Sequence, residues 1–219
     1  MAEHHVQPVS LTWQWFLADQ SLHLQVVRRM YQFRFKDCLH SDLSLQQIRG
    51  KEGVRIRAAY QRLASEYGVS WSGRNYKRKN WGEADPINRA LSAANAALYE
   101  IVLAGLHSLG YSPALGFIHT GKQLSFVYDV ADLFKTSTSF PAAFEAAASG
   151  DEKIESRARR ILRDRCCHER LQDRITKHVP ALFSSKADNS EPTAADEITS
   201  LWDPKGIVQG GIQHGHHDY

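Results

Sequence analysis

From Asp85 to Gly110 the apolar residues recur at every third or fourth position, with Ile87, Leu91, Ala94, Leu98, Val102 and Leu109 on one side of a 3.6-residue period. Asp85 has the side chain of a helix N-cap, Pro86 carries the fixed φ of a first helical turn, and Gly110 is a stop. Ala90, Ala93 and Ala97 leave room for a second helix to approach closely. A stretch this long and this patterned marks a central core helix, and the rest of the chain has to supply the layers that cover it.

The remaining pattern is helical too. The spacing predicts a helix from about Leu17 to Phe35, with Leu24, Val27 and Tyr31 on one stripe. It predicts another from Leu45 to Tyr67, with Ile56, Tyr60, Leu63 and Tyr67 on one face and Gly68 at its end. A helix is expected over Gln123 to Lys135. Pro141 opens a short Ala-rich helix ending at Gly150, and a basic helical region runs from Asp151 to His178. No run alternates for long in the manner of a strand. The expected class is all-α: a compact multi-helix domain over residues 1–180, then a linker and flexible tail over 181–219 in which Leu201 to Gly211 could dock.

With 219 residues, 42% of them hydrophobic, the chain can bury a core without staples. The start, MAEHHVQPVS, lacks the features of a signal peptide, and no apolar run approaches a bilayer span, so no membrane association and a cytoplasmic location are expected. Cys38, Cys166 and Cys167 form neither a disulfide framework nor a zinc motif and read as reduced thiols.

Charge is local rather than global. Between Arg49 and Trp81 stand Arg49, Lys51, Arg55, Arg57, Arg62, Arg74, Lys77, Arg78 and Lys79 against Glu52 and Glu66, with Tyr60, Trp71, Tyr76 and Trp81 interleaved. Such a stretch offers charges for phosphates and flat surfaces for bases, or else is a solvated basic face over core aromatics. A second basic run, Arg157 to Lys177, reads as a solvated helix face. The histidines at 214, 216 and 217 read as a flexible end.

Asp129 and Asp132 lie three apart in LSFVYDVADLF and project from one helical face, with Ser125 a turn earlier. Two carboxylates on an apolar helix are either an ordinary solvated face or a site that asks for a positive partner. His119 precedes that helix and reaches Asp132 only if the intervening turn folds back. Glu52, in RGKEGVRIR, has glycines near it on both sides, which let a backbone or ligand come close. A lone histidine such as His119 is more often structural than a ligand, and Glu52 by itself is unremarkable; taken together, Glu52, His119 and Asp132 would give an oxygen-rich donor set suited to Mg²⁺ or Mn²⁺ rather than to structural zinc or a two-histidine iron site.

The segments RGKEGVRIRAAYQRLASEYGVSWSGRNY and GFIHTGKQLSFVYDVADLFK resemble the CRISPR spacer-acquisition integrases, especially the subtype I-E branch, and LWDPKGIVQGG is similar to the tail end of many members. The resemblance covers roughly Leu17 to Lys177. It implies a helical catalytic domain in which Glu52, His119 and Asp132 are metal ligands and Asp129 is a further acidic residue needed for activity. It implies joining of the 3′-hydroxyl ends of protospacer fragments to a CRISPR array by transesterification, with metal-dependent cleavage of branched DNA as a related endonuclease activity. Arg49, Tyr76, Trp81, Lys122 and Tyr128 match positions that contact DNA, beside Arg55 and Arg57 of the basic stretch. It implies a small dimeric partner protein and homodimers flanking it. Members of the family begin with a β-rich domain, and this chain starts almost at the helical one. The alternative expectation is therefore a catalytically idle DNA-binding or assembly subunit.

Overall fold

The computed structural model describes residues 16–35, 43–74 and 85–183, and the backbone of 200–203 and 206–209. The chain divides into two units, Met1–Phe183 and Ser184–Tyr219. The first is helical, as the sequence pattern predicts.

Helix α1 spans Gln20–Phe35. The helical turn at 16–18 is separate from it, because Asp19 interrupts the expected single helix: its side chain accepts from the Leu22 N–H at 2.9 Å and caps a fresh start. Helix α2, Leu45–Tyr67, opens on a reciprocal capping box between Ser44 and Gln47 and closes on Gly68 at φ 64°. Helix α3, Pro86–Ser108, is capped by Asp85, whose side chain accepts from the Asn88 N–H at 2.8 Å. Leu109 is its C-cap, and Gly110 follows at φ 76°.

Helices α4 (Ser125–Phe134) and α5 (Ser139–Ala148) are both short. Pro141 lies within the first turn of α5 rather than at its start, where its missing N–H still breaks no intrahelical bond. The basic helical region is made of two helices, α6 (Ile154–His168) and α7 (Leu171–Ala181). Arg170 takes φ 49° at the break. The change of direction turns Leu171, Ile175 and Val179 into the core. There α7 comes so close to α3 that a Cβ at Gly105 would lie 2.8 Å from Gln172 Oε1 and 2.9 Å from Ile175 Cγ2. The body continues past Pro180: Leu182 and Phe183 are buried, and the Phe183 ring meets Phe16 edge-on at 5.6 Å.

Helix α3 threads two apolar clusters. Its first half, Ile87 to Ala94, joins Tyr60 and Leu63 of α2, Phe140 and Phe144 of α5, and Ile154 and Ala158 of α6. Its second half, Leu98 to Leu106, joins Val27 and Met30 of α1, Phe126 and Val130 of α4, and Ile175 of α7. Each such side chain, fully buried, stabilises by roughly 1.5–3 kcal/mol. By length and composition alone α3 would pass for a membrane span. Its apolar residues, however, face α4, α5, α6 and α7.

In the second unit, β1 (Ser200–Asp203) pairs antiparallel with β2 (Gly206–Gln209), Leu201 opposite Val208 and Trp202 opposite Ile207. No strand was expected there; the all-α class describes the helical body.

Candidate functional site

Asp129 sits one turn inside α4 and is fully buried. Its Oδ2 accepts from the backbone N–H of Phe117 at 2.5 Å and Ile118 at 3.0 Å, and its Oδ1 accepts from His119 N–H at 2.8 Å. The same Oδ1 lies 2.7 Å from His119 Nδ1. One carboxylate therefore folds residues 117–119 back over α4, which supplies the reversal that His119 needs to approach Asp132. Two further features fit the loop around it. A Cβ at Gly116 would run into the His119 carbonyl and lie 2.8 Å from Asp129 Oδ2, so only glycine fits. His23 Nε2 contacts the Phe117 carbonyl oxygen at 2.8 Å and ties the loop to α1.

Because the Asp129 carboxylate only accepts, His119 Nδ1 is the donor, and in the neutral ring the lone pair is left on Nε2. The hydrogen bond to Asp129 holds the His119 pKa above the usual histidine value, against burial and with further help from the charges of Asp129 and Asp132. The His119 side chain is 44% exposed, so its free edge is accessible. The solvated-face alternative fails for Asp129, and Asp132 is mostly buried as well.

Asp132, one turn beyond Asp129, meets two cations: Arg34 Nη1 of α1 at 3.5 Å from Oδ2, and Lys135 Nζ at 2.6 Å from Oδ1. Arg34 Nη1 also pairs closely with Glu52 Oε1 of α2. A single guanidinium thus gathers the carboxylates of α2 and α4. Burial and the carboxylate of Glu52 push the Tyr31 hydroxyl up to about 12, and the Arg49 side chain opposes them. Burial works against the charge of Lys135, but Asp132 and Tyr99 hold its pKa above the usual lysine value. Its Nζ lies 5.0 Å from the centre of the Tyr99 ring.

Glu52, Asp132 and His119 are therefore linked through Arg34 and through the α4 anchor. Among the described residues, no three His, Cys, Asp or Glu side chains converge as a ready-made ion cage. Among the described residues no other backbone takes up the room beside the glycines flanking Glu52: nothing lies within 4 Å of a Cβ built at Gly50 or Gly53.

Of the residues matched to DNA contacts, Arg49, Arg57 and Lys122 are exposed and Arg55 is half-buried. Tyr128 is half-buried, its ring 5.9 Å from His119 and 5.0 Å from Tyr99. Tyr76 and Trp81 lie outside the described residues. One aromatic of the basic stretch is corrected: Tyr60 is buried among Trp71, Phe140 and Phe144 and belongs to the core, whereas Trp71, stacked on it at 4.6 Å, stays half-buried. Sequence reasoning missed Tyr31, Arg34, Tyr99, Gly116 and Lys135. Only Lys135 carried a local signal, standing three residues after Asp132 where a helix brings opposite charges together.

The model of the family described as CRISPR associated protein Cas1 matches residues 24–162. CRISPR-associated endonuclease Cas1 2 of Thermus thermophilus is 48% identical over 205 residues, which is 92% of this chain and 63% of that protein. CRISPR-associated endonuclease Cas1 of Escherichia coli K12 is 46% identical over 146 residues, 67% of this chain and 48% of its own length. The chain thus spans less than two thirds of these curated relatives. A crystal structure of a TtCas1–DNA complex superposes with a TM-score of 0.78 at 45% identity, over 97% of this chain and 74% of that one.

Proposed function

The chain belongs to the Cas1 family of CRISPR-associated proteins, and from that premise we propose that it is a divalent-metal-dependent DNA integrase and endonuclease of CRISPR adaptation, of the subtype I-E branch. It acts on short DNA fragments and a CRISPR array beside a small dimeric partner protein and a second copy of itself. The observation that carries the reading is the Asp129 anchor. A buried carboxylate that orients a histidine through Nδ1 and presents Nε2 outward is the arrangement of an outer partner behind a metal-ligating imidazole.

Glu52, His119 and Asp132 would hold the ion, two carboxylates and one nitrogen, a donor set that fits Mg²⁺ or Mn²⁺. When bound, the ion supplies charge stabilisation at a scissile phosphate and brings an attacking oxygen into line. The chain's own residues do the rest. Asp129 keeps Nε2 of His119 as the acceptor. Arg34 and Lys135 add positive charge beside the carboxylates. Arg49, Arg55, Arg57 and Lys122 meet phosphates, and Tyr128, Tyr76 and Trp81 meet the incoming DNA.

The test is cleavage and joining of branched and leader-repeat duplexes with Mn²⁺, Mg²⁺ or EDTA. Wild type should give products only with metal, and Asp132→Ala should reduce them by at least two orders of magnitude, on the order of the loss seen when an electrostatic stabiliser is removed. Products in EDTA would refute the metal reading. Salt-sensitive DNA binding with no products at all would select the idle-subunit alternative.

A further inference from the structure

Arg34 is not among the residues matched to the family's ligands or DNA contacts, yet it occupies the middle of the site. Its side chain is only 7% exposed, and its Nη1 pairs with Glu52 Oε1 and faces Asp132 Oδ2 at 3.5 Å. Lys135 engages the other oxygen, Oδ1, at 2.6 Å. Oxygens that a divalent ion would need are thus already turned toward a protein cation, and Glu52 and Asp132 come from two different helices. Two buried carboxylates without such a cation repel each other and are costly to keep charged.

We propose that Arg34 is a resident counter-cation, a positioning residue that gathers Glu52 and Asp132 while no ion is bound and yields their oxygens when a divalent ion arrives. The inference rests on Glu52, His119 and Asp132 being the ligands. It follows from charge and geometry: a guanidinium and a divalent ion compete for the same lone pairs, and the side chain that loses has to turn away. Arg34 therefore weakens ion uptake and strengthens the fold without the ion, two effects of opposite sign from one residue.

The experiment is titration of Mn²⁺ into the full chain, followed by the loss of the free-ion signal in electron paramagnetic resonance, for wild type, Arg34→Gln and Arg34→Lys. Arg34→Gln should bind Mn²⁺ at least threefold more tightly than wild type and melt at a lower temperature without metal. Arg34→Lys, which keeps the charge, should stay within about twofold of wild type, as the Coulomb argument requires. A folded Arg34→Gln protein that binds Mn²⁺ with equal or lower affinity overturns the inference and leaves the metal reading standing. Binding by neither protein overturns both. The wild type alone gives a second test that does not depend on the variant folding. Its Arg34 Nε–H resonance, identified by its loss in Arg34→Lys, should move on addition of Mg²⁺, and an unmoved resonance at saturation also overturns the inference.

Discussion

Asp129 and Asp132 stand three residues apart on one helix and have different work. Asp129 accepts three backbone N–H groups and orients His119, whereas Asp132 faces the cations of α1 and α4. Asp129→Asn replaces one acceptor oxygen by a donor and leaves buried N–H groups unpaired, each at about 1–3 kcal/mol. The expected outcome is a melting temperature lowered by several degrees and a His119 pKa that falls toward 6.5, read by NMR titration of the ring. The sign is fixed by the raised native value. The His119 contact stabilises the fold fully below the unfolded pKa and loses that contribution as pH rises through the native one. An unchanged His119 titration in the variant would show that Asp129 does not set the imidazole. Sequence placed both carboxylates on one face, but the partners that divide their roles are backbone groups ten to twelve positions earlier, and no side-chain pattern records those. Gly116 was invisible for the same reason, since its need arises only once the loop lies on Asp129.

Among the elements, those with local end signals were legible and those shaped by packing were not. Ser44 with Gln47 and Gly68 bound α2, and Asp85 with Pro86 starts α3, as their side chains dictate. The break between α6 and α7 has no such mark, because Arg170 adopts a left-handed conformation at about 1–2 kcal/mol. It is offset by burying Leu171 and Ile175 against α3. The faces of α6 can be probed directly. Cys166 points inward, its thiol pushed up to about 12 by burial and then by Glu169, whereas the adjacent Cys167 is exposed. Iodoacetamide on the native protein should alkylate Cys167 and spare Cys166, with both modified after denaturation, as peptide mass spectrometry would read. Equal modification of the two in the native state would place the face of α6 wrongly.

At the scale of the whole molecule, the site forms where α1, α2 and α4 meet, helices far apart in sequence that are brought together around the second half of α3. The all-α class and the central role of α3 were readable from periodicity alone. The grouping of Glu52, His119 and Asp132 was implied by family resemblance, and in the structure it runs through Arg34 and Asp129, residues whose parts emerge only when distant helices pack. The proposed activity requires that those three side chains hold one ion. Crystals soaked in Mn²⁺ and measured at a wavelength where manganese scatters anomalously test that most directly. One strong anomalous peak is expected in contact with Glu52, His119 Nε2 and Asp132, with Arg34 turned away from it. A peak bound elsewhere in the helical body, or none at these residues under saturating Mn²⁺, would contradict the metal reading.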